Sequence, residues 1–257
     1  MGQFGAGFTL LEAGTRDALR RPSTWVSTAC LGVFLGVIPH LGNPAAGVRD
    51  NAALAVELTI ATWMTFVPFA AGALAVRGVD RQAGHGLPPE VLTLPLTDAT
   101  AVLARWGVAV LVAGGVGAMA LVLAALGWWG AAHPVVSPSP VPWVGLGVGA
   151  ALGTALAAAI GLVYGACVTR PLALVLLALH LLVARALPVA GSDALWGTLV
   201  PDPLRLDVAR ELAFGRAVGP AWIAWGGATL GLQVGALCAI ATWRIARKAP
   251  KRIRKPL

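Results

Sequence analysis

The chain carries little charge. Of its 257 residues only 12% are Asp, Glu, Lys or Arg, whereas 58% are hydrophobic and the mean hydropathy is +0.79. None of these four residue types occurs in 22–48, 106–169 or 217–243. Soluble globular domains carry about 25% charged residues, so the composition excludes an ordinary soluble domain. Because a hydrocarbon core of about 30 Å takes roughly 20 apolar residues per helix, the sequence predicts an integral membrane protein.

The usual catalytic and metal-binding motifs are also missing. The first lysine is Lys248, which excludes a Walker A loop, since that loop holds phosphates with a lysine. The sequence contains neither the His-Glu-x-x-His pattern of zinc sites nor the Gly-x-Ser-x-Gly pattern of a nucleophile elbow. Its three cysteines and four histidines are scattered, without metal-ligand or disulfide spacing. We therefore expect no active site, metal or other cofactor in this chain.

What the sequence does contain is a series of apolar runs. They predict an all-α fold whose transmembrane domain covers 24–243. Six spans are expected, at about 24–41, 53–76, 106–129, 143–168, 172–190 and 221–243. The prolines of "HPVVSPSPVP" force a loop between the third and fourth spans. Only "TRP" separates the fourth from the fifth, which predicts a tight turn.

The segments at the two ends of the chain indicate its orientation. Residues 1–23 predict a cytoplasmic interfacial helix, because apolar residues recur there at helical spacing: Phe4, Phe8, Leu11, Ala18 and Leu19. Lys and Arg concentrate in the segments on this side of the spans, including the basic tail 244–257, while the opposite loops hold only Arg49, Arg205, Arg210 and Arg216. Both termini are therefore expected in the cytoplasm. The tail is interpreted as a partner of anionic lipid and not of nucleic acid.

Residues 77–105 form a polar segment between the second and third spans, and the same rule places this segment in the cytoplasm. An acidic–basic pair, a glycine, an acidic residue, a leucine-rich turn and a Pro-Leu-Thr follow one another in it: Asp80-Arg81, Gly84, Glu90, Leu92 and Leu94 within "VLTL", and Pro95-Leu96-Thr97. This order resembles the cytoplasmic region between the second and third helices of ABC-2 type ABC exporter permeases. The stretch "GHGLPPE" departs from the family pattern, being two residues longer and interrupted by two prolines.

The resemblance implies a role for the whole chain. It implies that 77–105 includes a short coupling helix that docks on a separate ATPase subunit, which would bind ATP and Mg. The chain would then be the non-enzymatic permease subunit of an ATP-driven exporter in the cell inner (plasma) membrane. Two permease chains, identical or related, would form the path, with contacts between the chains through spans one and five. In span one, Gly32 and Gly36 lie one turn apart, as suits close helix packing. A haem-exporter-type membrane subunit of cytochrome maturation and a non-transporting membrane scaffold stay open as alternatives.

The segment 191–220, between the last two spans, is expected on the outer side as a short helix. Asp202 suits an N-cap and Pro203 the first helical position. One apolar face then follows at every fourth residue, formed by Leu204, Val208 and Leu212. This helix resembles the half-membrane re-entrant helices of the same family, and an ordinary surface helix is the alternative.

Glu57 and Arg185 are the two charges inside the expected spans. Each lies about five residues from the outer end of its span, roughly 7–8 Å deep at 1.5 Å per residue. Because an isolated charge is costly in hydrocarbon, their similar depth and opposite sign predict an intramembrane ion pair. Separate snorkelling of the two side chains to the outer headgroups is the alternative.

Overall fold

The structure, a computed structural model, describes residues 3–37, 48–80, 97–129, 140–186 and 220–248. These ranges contain seven helices and no strand, which confirms the predicted all-α class for this part of the chain. The helices are α1 Gln3–Leu19, α2 Pro22–Val37, α3 Val48–Asp80, α4 Asp98–Trp129, α5 Pro140–Cys167, α6 Arg170–Ala186 and α7 Pro220–Lys248.

Three of these helices are long and apolar enough to cross a membrane. The segments that meet this criterion are Ala61–Val79 in α3, Asp98–Leu123 in α4 and Gly227–Arg247 in α7. Shorter apolar helical segments are Pro22–Val37, Ala151–Cys167 and Arg170–Ala184. The three long segments indicate a membrane protein. The number of crossings and their direction stay predictions.

Proline and threonine explain several helix boundaries. The helices α2, α5 and α7 each begin at a proline, whose fixed φ suits the first turn and whose missing N–H is not needed there. At the junction of α1 and α2, the hydroxyl of Thr24 donates to the carbonyl of Ala18 at 2.7 Å, and the indole N–H of Trp25 donates to the carbonyl of Leu19 at 2.7 Å. These side chains satisfy carbonyls that the end of α1 leaves without helical partners.

The centre of the bundle is a crossing of α3 and α5 through small residues. Every fourth residue of α5 is small along one stripe: Gly153, Ala157, Gly161 and Gly165. A Cβ at Gly161 would overlap the carbonyl oxygen of Gly72 in α3, and a Cβ at Gly165 would lie 3.2 Å from the Cα of Val76. The two backbones are therefore in direct contact, as small residues permit in membrane helices. Contacts advance in the same direction along both helices, so α3 and α5 are parallel.

Helix α4 packs against α1, α2, α3, α5 and α7. Arg105 of α4 packs on Gly78 of α3, and the later Gly117 packs on the earlier Val67. Helices α3 and α4 are therefore antiparallel. Because Gly165 packs beside Val76, the turn between α5 and α6 lies at the same end of the bundle as the α3–α4 connection. We call this end the inner end.

Helix α1 packs on the first turns of α4 through its small residues. A Cβ at Gly7 would lie 2.9 Å from Thr100, and one at Gly14 would lie 2.8 Å from Val108. The apolar residues expected to act together are divided: Ala18 is buried, whereas Phe8 is 75% exposed. Leu11 also contacts α4, since its Cδ1 lies 2.9 Å from the position that a Cβ of Gly107 would take. The interfacial location expected for α1 stays a prediction.

Gly32, which is expected at a contact between chains, packs on α4 within one chain. In the structure Gly32 is buried, and a Cβ there would lie 2.8 Å from Cδ1 and 2.9 Å from Cβ of Leu123 in α4. The glycine thus already serves close packing of α2 on α4 within one chain. The contact between chains through spans one and five stays a prediction.

Candidate functional site

The α3–α4 connection is framed by two helix ends. Asp80 is the last residue of α3, and Thr97 immediately precedes α4. The backbone N–H of Thr100 donates to Oγ1 of Thr97 at 3.3 Å, and the N–H of Ala101 donates to the Thr97 carbonyl at 3.0 Å. This is the arrangement of an N-cap. The threonine that the family resemblance placed at the end of the coupling motif therefore has a local role, which is to start α4.

The other predicted coupling residues lie outside the described residues: Arg81, Gly84, Glu90, Leu92, Leu94, Pro95 and Leu96. The same holds for the predicted outer helix, with Asp202, Pro203, Leu204, Val208 and Leu212. Glu57 and Arg185 belong to α3 and α6, but their side chains are not among those described. The ion pair therefore stays a prediction.

Two arginines flank the connection at the inner end. Arg105 of α4 is 8% exposed. Its stem packs on Gly78, with Cδ 3.6 Å from the position that a Cβ of Gly78 would take. Arg77 is half-buried next to Gly78 in sequence. The Nη1 of Arg105 and the Nε of Arg77 are both buried without a hydrogen-bond partner in the described part of the chain. Sequence reasoning identified both residues as inner flanking charges but not as buried ones.

Two tryptophan side chains form hydrogen bonds between helices. The indole N–H of Trp63 in α3 donates to the carbonyl of Gly117 in α4 at 3.0 Å, and this bond is buried. The indole N–H of Trp106 in α4 donates to the carbonyl of Ala155 in α5 at 2.8 Å. In both cases a small residue leaves a helical carbonyl open to a second donor. The sequence offered no signal for these pairs, because tryptophan is frequent in the chain and the carbonyl of any small residue could accept.

A further polar contact joins α5 and α6. The hydroxyl of Tyr164 lies 2.9 Å from Nδ1 of His180, and the two rings meet edge to face with their centroids 6.0 Å apart. Such a hydrogen bond between membrane helices satisfies two polar groups at once. His180 thus takes part in packing, and among the described residues no group of three or more His, Cys, Asp or Glu could hold a metal ion.

The structure also contains an open groove of about 400 Å³ lined by Ala61, Thr62, Thr65, Phe66 and Phe69. All five residues belong to α3, and the lining is largely apolar. The described lining offers only the hydroxyls of Thr62 and Thr65 as polar side-chain groups, and so lacks the convergent polar set typical of a ligand pocket.

Helix α7 carries a second stripe of glycines at four-residue spacing: Gly227, Gly231 and Gly235. No atom of the described residues lies within 4 Å of a Cβ built at any of the three. The buried side of α7 is formed by other residues, among them Leu230, Cys238 and Ala241.

No protein-family model matches the chain, and no curated protein matches it either.

Proposed function

We propose that this chain is the membrane-spanning permease subunit of an ABC-2 type exporter. Two permease chains would form the path, and a separate ATPase subunit would bind ATP and Mg. The observation that carries the proposal is the α3–α4 pair. Two antiparallel helices, each with a segment long enough to cross a membrane, are joined at one end by the polar segment 81–96.

The proposal includes six crossings of an inner (plasma) membrane, with both termini in the cytoplasm. The shorter apolar segments of α2, α5 and α6 supply the additional crossings. Arg77, Arg105 and Arg170 all belong to the inner end, as expected for the cytoplasmic side. Near the end of α7, the guanidinium carbon of Arg247 lies 4.0 Å from the ring centroid of Trp243. A tryptophan stacked with a cation is typical of the membrane–water boundary.

The packing supports a transmission role for α3 and α4. Direct backbone contact at Gly72 and Gly161 fixes α3 to α5, and the buried bond from Trp63 to Gly117 fixes α3 to α4. Because close-packed helices resist small deformations, these three helices should move together. A force that an ATPase applies between Asp80 and Thr97 would then turn the group as one body.

The experiment is co-purification of the tagged chain from its native membrane, followed by identification of its partners. We expect a nucleotide-binding subunit to be retained. The double variant Glu90→Ala/Leu94→Ala should reduce that retention by about tenfold or more, because a few central residues dominate a docking interface. Leu172→Ala is the matched control: this residue is exposed at the inner end but lies on α6.

Three outcomes distinguish the alternatives. Retention of an ATPase by wild type and by Leu172→Ala, but not by the double variant, supports the proposal. Retention of other membrane proteins without any ATPase identifies a scaffold. Retention of the ATPase together with cytochrome-maturation proteins identifies a haem-exporter-type subunit.

A further inference from the structure

A buried cation at the inner end lacks a partner among the described residues. Arg105 is 8% exposed, and its Nη1 is buried without a hydrogen-bond acceptor there. A guanidinium keeps its charge at any physiological pH. Burying a charge is costly unless it is paired and its N–H groups are satisfied. The position of Arg105 therefore requires an anionic group.

Helix α3 contacts this side chain, and α1 packs on the residue that precedes it. The stem of Arg105 packs on Gly78 of α3, where the absence of a side chain leaves it room. The preceding residue, Ala104, clusters with Leu10 of α1. Arg77 directly precedes Gly78 and has a buried Nε that likewise lacks a partner in the described ranges. Two incompletely satisfied guanidinium groups thus lie at one level of the bundle.

The carboxylates of α1 are engaged elsewhere. Glu12 pairs with Arg16 at 2.9 Å and Asp17 pairs with Arg21 at 2.8 Å, both within one turn of the same helix. These are the ion pairs found among the described residues. The basic excess of the chain, with a formal net charge of +8, also favours an external anion at Arg105.

We propose that Arg105, assisted by Arg77, binds a phosphate group at the inner end between α3 and α4. The planar fork of arginine matches two oxygens of a phosphate. Basic pockets between membrane helices at the cytoplasmic boundary bind the headgroups of anionic lipids. The phosphate belongs either to an acidic phospholipid of the inner leaflet or to free inorganic phosphate. This proposal rests on the packing around Arg105 and on the membrane orientation proposed above, and it does not depend on the ATPase partner.

The test measures thermal unfolding of the purified full chain in nonionic detergent at constant ionic strength. Phosphatidylglycerol, phosphatidylcholine and inorganic phosphate are titrated in separate arms. We expect phosphatidylglycerol to raise the unfolding midpoint of the wild-type chain more than phosphatidylcholine does. Arg105→Gln should weaken the apparent affinity for the stabilising anion by about tenfold, the effect of losing a charge-assisted hydrogen bond. Arg170→Gln removes the same charge from an exposed position at the same end and should change the affinity less than about twofold.

The arms also identify the source of the phosphate. Stabilisation by phosphatidylglycerol alone assigns a lipid headgroup, and equal stabilisation by inorganic phosphate assigns the free ion. If Arg105→Gln does not fold, Arg77→Gln is tested in its place. Because Arg77 makes the weaker of the two contacts, its loss should reduce the apparent affinity for the anion by about threefold. An anion response that is the same in wild type, in the variant used and in Arg170→Gln would overturn the proposal. So would a wild-type chain that responds to none of the three additives.

Discussion

The two glycine stripes of α5 and α7 have the same spacing and opposite surroundings. In α5 a single methyl group at Gly161 would overlap the backbone of α3, whereas at Gly231 in α7 nothing in the described part of the chain lies within 4 Å. Four-residue spacing therefore indicates only that a helix can approach another closely. Whether it does so depends on the opposite helix: α3 presents Gly72 to α5, and no described helix presents a comparable residue to α7.

The largest effect is expected for Gly161→Ala. The new methyl group would overlap the carbonyl oxygen of Gly72, and a backbone atom cannot turn aside as a side chain can. We expect the free energy of unfolding to fall by about 3 kcal/mol, the upper part of the usual range for overpacking. Thermal or denaturant unfolding in detergent measures it. An unchanged stability would mean that α3 and α5 separate without cost, and the stripe would lose its structural meaning.

A smaller effect is expected for Trp63→Phe, which replaces the indole by a smaller aromatic ring and removes its N–H. The buried bond to the carbonyl of Gly117 is lost, at about 1 kcal/mol of unfolding free energy. Trp25→Phe is the matched control, because its indole bond to Leu19 is exposed and joins adjacent helices. Equal losses in both variants would show that the α3–α4 bond adds nothing beyond ring packing.

The smallest effect is expected for Gly231→Ala, which repeats the first substitution in the other stripe. With no described atom in the way, alanine should stabilise the helix by about 0.5 kcal/mol, because glycine loses more backbone entropy on folding. The measurement uses one chain per micelle, so that contacts between chains do not contribute. A destabilisation as large as that of Gly161→Ala would abolish the contrast between the two stripes.

The sequence was sufficient for much of the helical framework. Long runs without charge predicted helices, whereas the start of α4 at Asp98, directly after the capping Thr97, was not predicted. The charged residues Arg77 and Arg105 were correctly interpreted as flanking a polar segment. These features depend on local chemistry: a charge interrupts an apolar run, and a proline or a capping hydroxyl acts on its own turn.

The packing could not be predicted in the same way. In a membrane protein the lipid-facing and helix-facing sides are both apolar, so hydrophobicity does not distinguish Phe8, which is exposed, from Leu10, which is buried. The burial of Arg105 depends on Gly78, twenty-seven residues earlier in a different helix. The acceptors of the tryptophan indoles are backbone carbonyls, which no side-chain pattern identifies.

The packing of α2 on α4 has a consequence for biosynthesis. Within the described residues helix α2 has 16 residues, about 24 Å of helix. Its chief partner is α4 and not its neighbour α3. The ribosome must therefore complete α3 and the polar connection before the helix that covers Gly32 exists. During that interval α2 lacks its packing partner α4. The packing of α2 into the bundle therefore follows the synthesis of α4 and not that of α3.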